Sequence, residues 1–406
     1  MLPVRSFCLT VLCVHASTAT FRSGNFSSRA TRTLEMSTDD LSLLKQHFQK
    51  DLIDNFYTLS AFPYLSVRLE NPPWAGDYLA AQKDSANLRY NPYDYSATEK
   101  YAMAYGLDAT ELMDRVSVKY GVDATSGAFP PCASDIECLN LPGNSTCSFR
   151  MQHTQGYCVP HWFGLCHALA LASVVEEEPR CPVTLNGVTF QIVDIKALLI
   201  LLYDERQQDT IVTGQRYDGP DNAAKDQFGR PLDATLRDVG PGLFHIVLAN
   251  VLGNFKQAVI CDIEKGREIW NFPIMGYEVV QMELVDPAYA AKMYFGSPTY
   301  PFNPAMVYLA FVHIIVYYVT TTTDPRKINP LLINQYIRPI EYTYLLEMDA
   351  SGRIIGGEWV LNSVEDHPDF FWIARNSPEG DWVSYATGIR YSQVKALLTT
   401  SLACTG

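Results

Sequence analysis

Trp162-Phe163-Gly164-Leu165-Cys166-His167-Ala168 opens an Ala/Leu-rich stretch that runs to Glu178 and stops before Pro179. The spacing predicts a helix from about His167, with Cys166 at or just before its first turn. Gly164 permits a tight approach of another chain segment. Unpaired N–H groups and the helix dipole at such a position favour a thiolate. The same groups, the backbone N–H of Cys166 among them, can donate to an oxyanion. A buried structural cysteine or a disulfide partner would look the same from this stretch alone. Downstream the pattern changes to strands, expected at 243–251, 256–263, 276–285, 308–321, 340–349, 353–361 and 369–374. A cysteine at a helix start followed by an antiparallel sheet predicts an α+β fold.

The expected strands supply partners for the cysteine. Phe244-His245-Ile246-Val247 and Ile260-Cys261-Asp262 flank Gly253-Asn254, a dipeptide suited to a two-residue hairpin turn. In that register His245 faces Asp262, with Cβ atoms about 5 Å apart. The carboxylate would then fix the tautomer of the imidazole and leave its other nitrogen for a thiol. A three-residue loop would break the register and send the two side chains to opposite faces. His313 reads as a core residue, His367 as a loop residue, and His161 and His167 merely flank the cysteine.

Around this centre the chain is organised in four parts. Met1 to Ala19 has the charged, apolar and small-residue regions of a secretory signal. Residues 20–131 form an N-terminal helical and wrapping segment, with 20–90 a candidate pro-segment. Within it, capping boxes at Ser96…Glu99 and Asp108…Glu111 open short helices that Gly106 and Gly121 close. Residues 132–160 are a cysteine-rich module, and 161–400 carry the catalytic residues. Cys132, Cys138, Cys147 and Cys158 crowd together between Pro, Gly, Ser and Asn, which suggests a two-bridge disulfide knot in a secreted chain; zinc is the alternative. Cys166, Cys181, Cys261 and Cys404 remain, at least one of them expected free. The sequons at Asn25 and Asn144 suit glycosylation in such a chain.

The 406 residues are 48% hydrophobic and 18% charged, with a net charge of −13. A chain so acidic is a poor partner for nucleic acid, and no apolar run has the length of a membrane span. Helices open the expected domain at 195–203 behind Asp194 and a hairpin turns at Asn186-Gly187. Residues 204–240 read as a long acidic loop.

With these residues in view, the chain resembles the transglutaminase elicitor family of secreted oomycete proteins. The resemblance rests on WFGLCHA at 162–168, Asp238-Val239-Gly240-Pro241-Gly242-Leu243-Phe244-His245, Trp270-Asn271-Phe272-Pro273-Ile274-Met275-Gly276-Tyr277, Gly356-Gly357-Glu358-Trp359 and His367-Pro368-Asp369-Phe370. It implies a papain-like, transglutaminase-like core and a protein-glutamine γ-glutamyltransferase acting on glutamine- and lysine-bearing proteins or polyamines. It maps Cys166 to the nucleophile, His245 to the base and Asp262 to the orienting acid. Trp162, Phe163 and Trp270 are candidates for the walls of a substrate channel. The family also implies a calcium requirement, secretion to the cell wall, and a surface segment of pattern W-N-x-P-x-x-G recognised by a host receptor. Trp270, Asn271, Pro273 and Gly276 match that pattern, whereas Phe272 and Met275 stand where the known elicitor has Gln and Arg. The rivals are a papain-like cysteine peptidase or glutamine deamidase, and a non-enzymatic secreted effector.

Overall fold

Helix signals in the sequence translate directly into structure. Ser96 and Glu99 bond reciprocally to each other's backbone and start a helix that Gly106 ends in the left-handed region. Asp108 accepts from the Glu111 N–H at the start of the next helix. Asn186 and Gly187, both at positive φ, turn a short hairpin. The computed structural model describes residues 38–206, 210–214, 222–233, 236–264, 268–322, 335–375 and 380–404. The expected signal and the Asn25 sequon lie outside these residues.

The helices are α1 (Thr38–Phe48), α2 (Phe56–Leu59), α3 (Ala97–Tyr105), α4 (Ala109–Tyr120), α5 (Cys166–Val175), α6 (Ile192–Asp204), α7 (Pro241–Val247), α8 (Pro287–Phe295) and α9 (Tyr391–Leu402). The strands are β1 (Ser66–Arg68), β2 (Pro131–Cys132), β3 (Thr146–Phe149), β4 (Gly156–Val159), β5 (Val183–Leu185), β6 (Val188–Phe190), β7 (Thr210–Gly214), β8 (Val259–Asp262), β9 (Asn271–Val285), β10 (Tyr308–Val319), β11 (Ile337–Met348), β12 (Ile354–Trp359) and β13 (Phe370–Ala374). An antiparallel sheet runs in the order β12-β11-β10-β9-β8-β13-β7, with β1 added beside β9. Helix and sheet are thus mixed, as an α+β class requires. No helix among the described residues is long and apolar enough to cross a membrane.

The sheet separates two apolar cores, and residue parity decides which core a strand residue enters. On one face Ile260, Phe370, Trp372 and Ala374 meet α3, α5, α6 and α9 through Tyr101, Cys166, Leu169, Leu199 and Leu398. On the other, Val259, Cys261, Phe272, Ile274, Phe371 and Ile373 meet Phe244 and Val247 of α7 and Leu44 of α1.

One expected strand is a helix. Residues 243–251 belong to α7 and the π-helical segment Leu248–Asn254 that continues it. Pro241 occupies the first helical position behind Gly240, where its missing N–H costs nothing. Every residue from Pro241 to Val247 is buried. An all-round buried helix has no polar face, so its apolar run imitates a buried strand. Gly242 lies so close to β12 that an added Cβ would come within 2.8–3.1 Å of Gly356 backbone atoms. This contact joins two of the glycine motifs singled out in the sequence.

Among the described residues there are three disulfides. Cys132–Cys147 and Cys138–Cys158 lock the cysteine-rich module, and Cys181–Cys404 ties the segment after α9 to the one after α5. Cys166 and Cys261 are free and buried. Beneath the last bridge, buried Glu176 at the end of α5 gathers the first core together. Its carboxylate accepts from Tyr203 Oη of α6 at 2.8 Å and Tyr391 Oη of α9 at 2.7 Å, and pairs with Lys395. Its carbonyl accepts from Trp74 Nε1 at 2.9 Å.

Removing a carboxylate that serves three donors leaves buried polar groups without partners. Glu176→Ala is expected to lower stability by about 3 kcal/mol, read as a shift in the urea unfolding midpoint. Tyr391→Phe, which removes one donor, is expected to cost about 1 kcal/mol.

Candidate functional site

Cys166 is the first residue of α5, as its sequence setting requires. The turn before it is clamped by an N-terminal segment: Leu165 N–H donates to Tyr78 O at 2.6 Å, and Ala81 N–H donates to Phe163 O at 3.0 Å. A Cβ on Gly164 would fall 2.7 Å from Tyr78 Cδ2 and 2.9 Å from Tyr78 O. Only glycine fits there, so the tight approach read from the sequence is made by residues 78–80.

Sulfur and imidazole meet here, but the imidazole is the neighbouring one. His167 Nε2 donates to Asp204 Oδ1, the last residue of α6, at 2.7 Å. Burial pulls the His167 pKa down, while hydrogen bonds to Asp204 and to the Cys166 sulfur, with the charges of both, push it up to about 9. The ring retains 22% exposure, enough to reach a ligand at the site.

The rest of the site comes from the approach to β9. Cys166 Sγ donates to Ile269 O at 3.5 Å, and Asn271 Nδ2 points at Sγ from 3.9 Å. Asn271 Oδ1 accepts from Trp372 Nε1 at 2.7 Å. Asn271 pairs directly with Asp262 across β8 and β9, so their side chains share the Cys166 face of the sheet. Asp262 Oδ1 accepts from Trp270 N at 2.9 Å and Glu264 N at 3.3 Å, bracing the chain that carries Asn271. Trp270 lies edge-on to Tyr78, with centroids 5.4 Å apart. Of the expected channel aromatics, Trp270 lies in the chain between Ile269 and Asn271, the two residues that contact the sulfur. Trp162 and Phe163 meet edge-on, with ring centroids 5.8 Å apart.

The structure corrects the expected partnership of His245 and Asp262. His245 sits on α7, across the sheet from Cys166. Its Nδ1 shares a 2.8 Å hydrogen bond with Tyr344 Oη, and Tyr344 belongs to the second core. The hairpin that was to align His245 with Asp262 does not form, because Gly253 and Asn254 end a helical segment. Burial alone pushes the His245 pKa down to about 4. His367 pairs with Asp238 at 3.1 Å and stacks on Trp359, at the edge of this same second core.

Trp270–Tyr277 is not the surface loop that its motif suggested. Residues 271–277 are all buried in β9, flanked by β8, β10 and β1. The side chain of Gly276 is excluded by Val67 O, which an added Cβ would approach to 2.5 Å.

His167 and Asp204 were visible in the sequence without being joined. Their signal is positional: Asp204 is the first acid after the apolar run 195–203, on a helix that packs against α5. The acidic residues of 204–240 that are described are engaged with separate partners. Asp204 holds His167, Glu205 accepts from Ser384 Oγ at 2.6 Å, Asp226 pairs with Arg230 at 3.0 Å, and Asp238 pairs with His367. Asp209, Asp218 and Asp221 lie outside the described residues. Among the described residues, the one His, Cys, Asp or Glu group tight enough to share an ion is Cys132, Cys138 and Cys147, whose sulfurs are committed to disulfides.

Residues 40–404 match the family model for transglutaminase elicitors. The crystal structure of the GP42 transglutaminase from Phytophthora sojae is similar, with 36% sequence identity and a TM-score of 0.79. The match covers 91% of this chain and 99% of that one. No curated protein matches.

The neutral, buried His245 makes a prediction for folding. The unfolded chain takes up a proton near pH 6.5 that the folded chain refuses until about 4. Stability is therefore whole above pH 6.5 and declines as pH falls toward 4, by about 3 kcal/mol in all. His245→Gln should flatten this acid limb in thermal unfolding measured between pH 7 and pH 4. An unchanged slope would show that other groups set it.

Proposed function

Because the chain belongs to the transglutaminase elicitor family, we propose that it is a protein-glutamine γ-glutamyltransferase in which Cys166 is the nucleophile and His167, held by Asp204, handles the protons. The observation that carries this reading is a free cysteine at the start of α5 followed directly by a histidine whose imidazole is gripped by a carboxylate at 2.7 Å. The likeness to GP42 transglutaminase supports the reaction class. A nucleophile helix on an antiparallel sheet also agrees with a papain-like core.

In this mechanism the Cys166 proton rests on His167, and the sulfur attacks, as the thiolate, the side-chain carboxamide carbon of a substrate glutamine. The π pair moves onto oxygen, which the backbone N–H of Cys166 can receive. His167, protonated up to about pH 9, gives its proton to the departing ammonia. A thioester remains. His167, now neutral, takes a proton from an incoming lysine or polyamine nitrogen as that nitrogen forms the isopeptide bond and displaces the sulfur. Water is the competing acceptor. Tyr78 and Trp270 meet edge-on within the two segments that bond to the Cys166 turn and its sulfur, and there they would favour an amine over water by limiting hydration.

Three disulfides suit a secreted protein, and Asn144 is exposed for glycosylation. Host recognition of Trp270–Tyr277 requires that β9 be unfolded or cleaved out, since the segment from Asn271 onward is buried in the sheet.

Incorporation of a fluorescent primary amine into a glutamine-rich protein tests the reaction. Cys166→Ala should abolish it, and His167→Gln should reduce turnover about 10²–10⁴-fold. His245→Gln should keep it. Ammonia release or peptide cleavage by the wild type without amine incorporation would instead identify a deamidase or peptidase. The pH profile gives a second check. Activity that needs the protonated imidazole should fall above about pH 9, and Asp204→Asn, by removing the charge that holds the proton, should move this limb to lower pH.

A further inference from the structure

We propose that Asn271 is the side-chain oxyanion donor of the Cys166 site and that Trp372 holds it in the donating orientation. The proposal rests on acyl transfer to Cys166 but not on the identity of the acceptor.

An amide can be turned either way unless a neighbour fixes it. Here the neighbour is Trp372, whose indole N–H can only donate. It donates to Asn271 Oδ1 at 2.7 Å, so Nδ2 is the end that faces the sulfur. Turning the amide over would set donor against donor. Both residues are buried, Asn271 at 4% and Trp372 at 1% exposure, so water does not scramble the arrangement. The main chain at Asn271 is also anchored, through its pairing with Asp262 and the Trp270 N–H to Asp262 Oδ1 bond.

The distance fits a donor waiting for a charge rather than a finished contact. At 3.9 Å from Sγ, Nδ2 makes only a weak bond to the sulfur, which also lies 3.5 Å from Ile269 O. When the sulfur bonds to an acyl carbon, the oxygen on that carbon can enter the space between Sγ and Nδ2. There it comes within the roughly 2.7–3.1 Å that an oxyanion donor needs. The C–S bond forms, the carbonyl π pair moves to that oxygen, and the Asn271 N–H and the Cys166 backbone N–H receive it. On collapse the pair returns and the leaving nitrogen departs with the proton from His167. A buried donor that gains its strong partner only in the transition state lowers the barrier without tightening substrate binding.

The test separates this role from mere packing. Asn271→Ala should lower kcat for acylation by about 10²–10³-fold with KM nearly unchanged. Alkylation of Cys166 by iodoacetamide should proceed at the wild-type rate, because displacement at a saturated carbon makes no oxyanion. Trp372→Phe should give a smaller loss of kcat, again with alkylation intact. Acylation is read with an activated ester as well as with a glutamine protein. If the wild type takes the ester's acyl group but incorporates no amine, the transglutaminase reading falls and the oxyanion role stands. If Asn271→Ala keeps kcat within roughly threefold, or if acylation and alkylation fall together, Asn271 is not the donor.

Discussion

Everything at the candidate site depends on the pairing of Asp262 with Asn271 across β8 and β9. Side chains along a strand alternate between faces, so this one register assigns every neighbour its side. Asn271 and Asp262 turn toward the cysteine helix. Cys261 and Phe272, one residue away on each strand, turn into the opposite core. A slip by a single residue would put a phenylalanine beside the Cys166 sulfur and bury the amide elsewhere.

The two free cysteines illustrate how environment divides identical chemistry. Cys166 stands where a helix begins, beside an imidazole and a backbone carbonyl. Cys261 lies within the second core with Tyr318 Oη at 3.9 Å. Burial first, and then the Asp262 charge, raise its pKa well above the ordinary range for a thiol. A thiol so placed is a packing residue. The sheet between them keeps the two sulfurs apart.

Much of this was legible in the chain. The helix start at Cys166, the capping boxes, the Asn186-Gly187 turn, the crowded cysteines and most of the strands follow from local rules of spacing and turn chemistry. What was not legible came from tertiary context. Residues 241–254 read as a strand because a helix buried on all sides has lost its amphipathic signature. That error displaced His245 from one face of the sheet to the other and gave it the wrong partner. Asp204 and His167 meet through packing of α6 on α5, which no local pattern records. The buried state of Trp270–Tyr277 depends on flanking strands from distant parts of the chain, β1 among them. The motif alone speaks only of composition.

Glu176 and the Cys181–Cys404 bridge have a temporal consequence. The groups that complete the first core, Tyr391, Lys395 and Cys404, come from α9 and the segment after it. They follow α5 by more than two hundred positions; the bridge itself spans 223. A chain emerging from the ribosome therefore carries its cysteine helix for a long interval with the Glu176 carboxylate only partly satisfied. The packing around α5 is therefore complete only once α9 has been made and the Cys181–Cys404 bridge has formed.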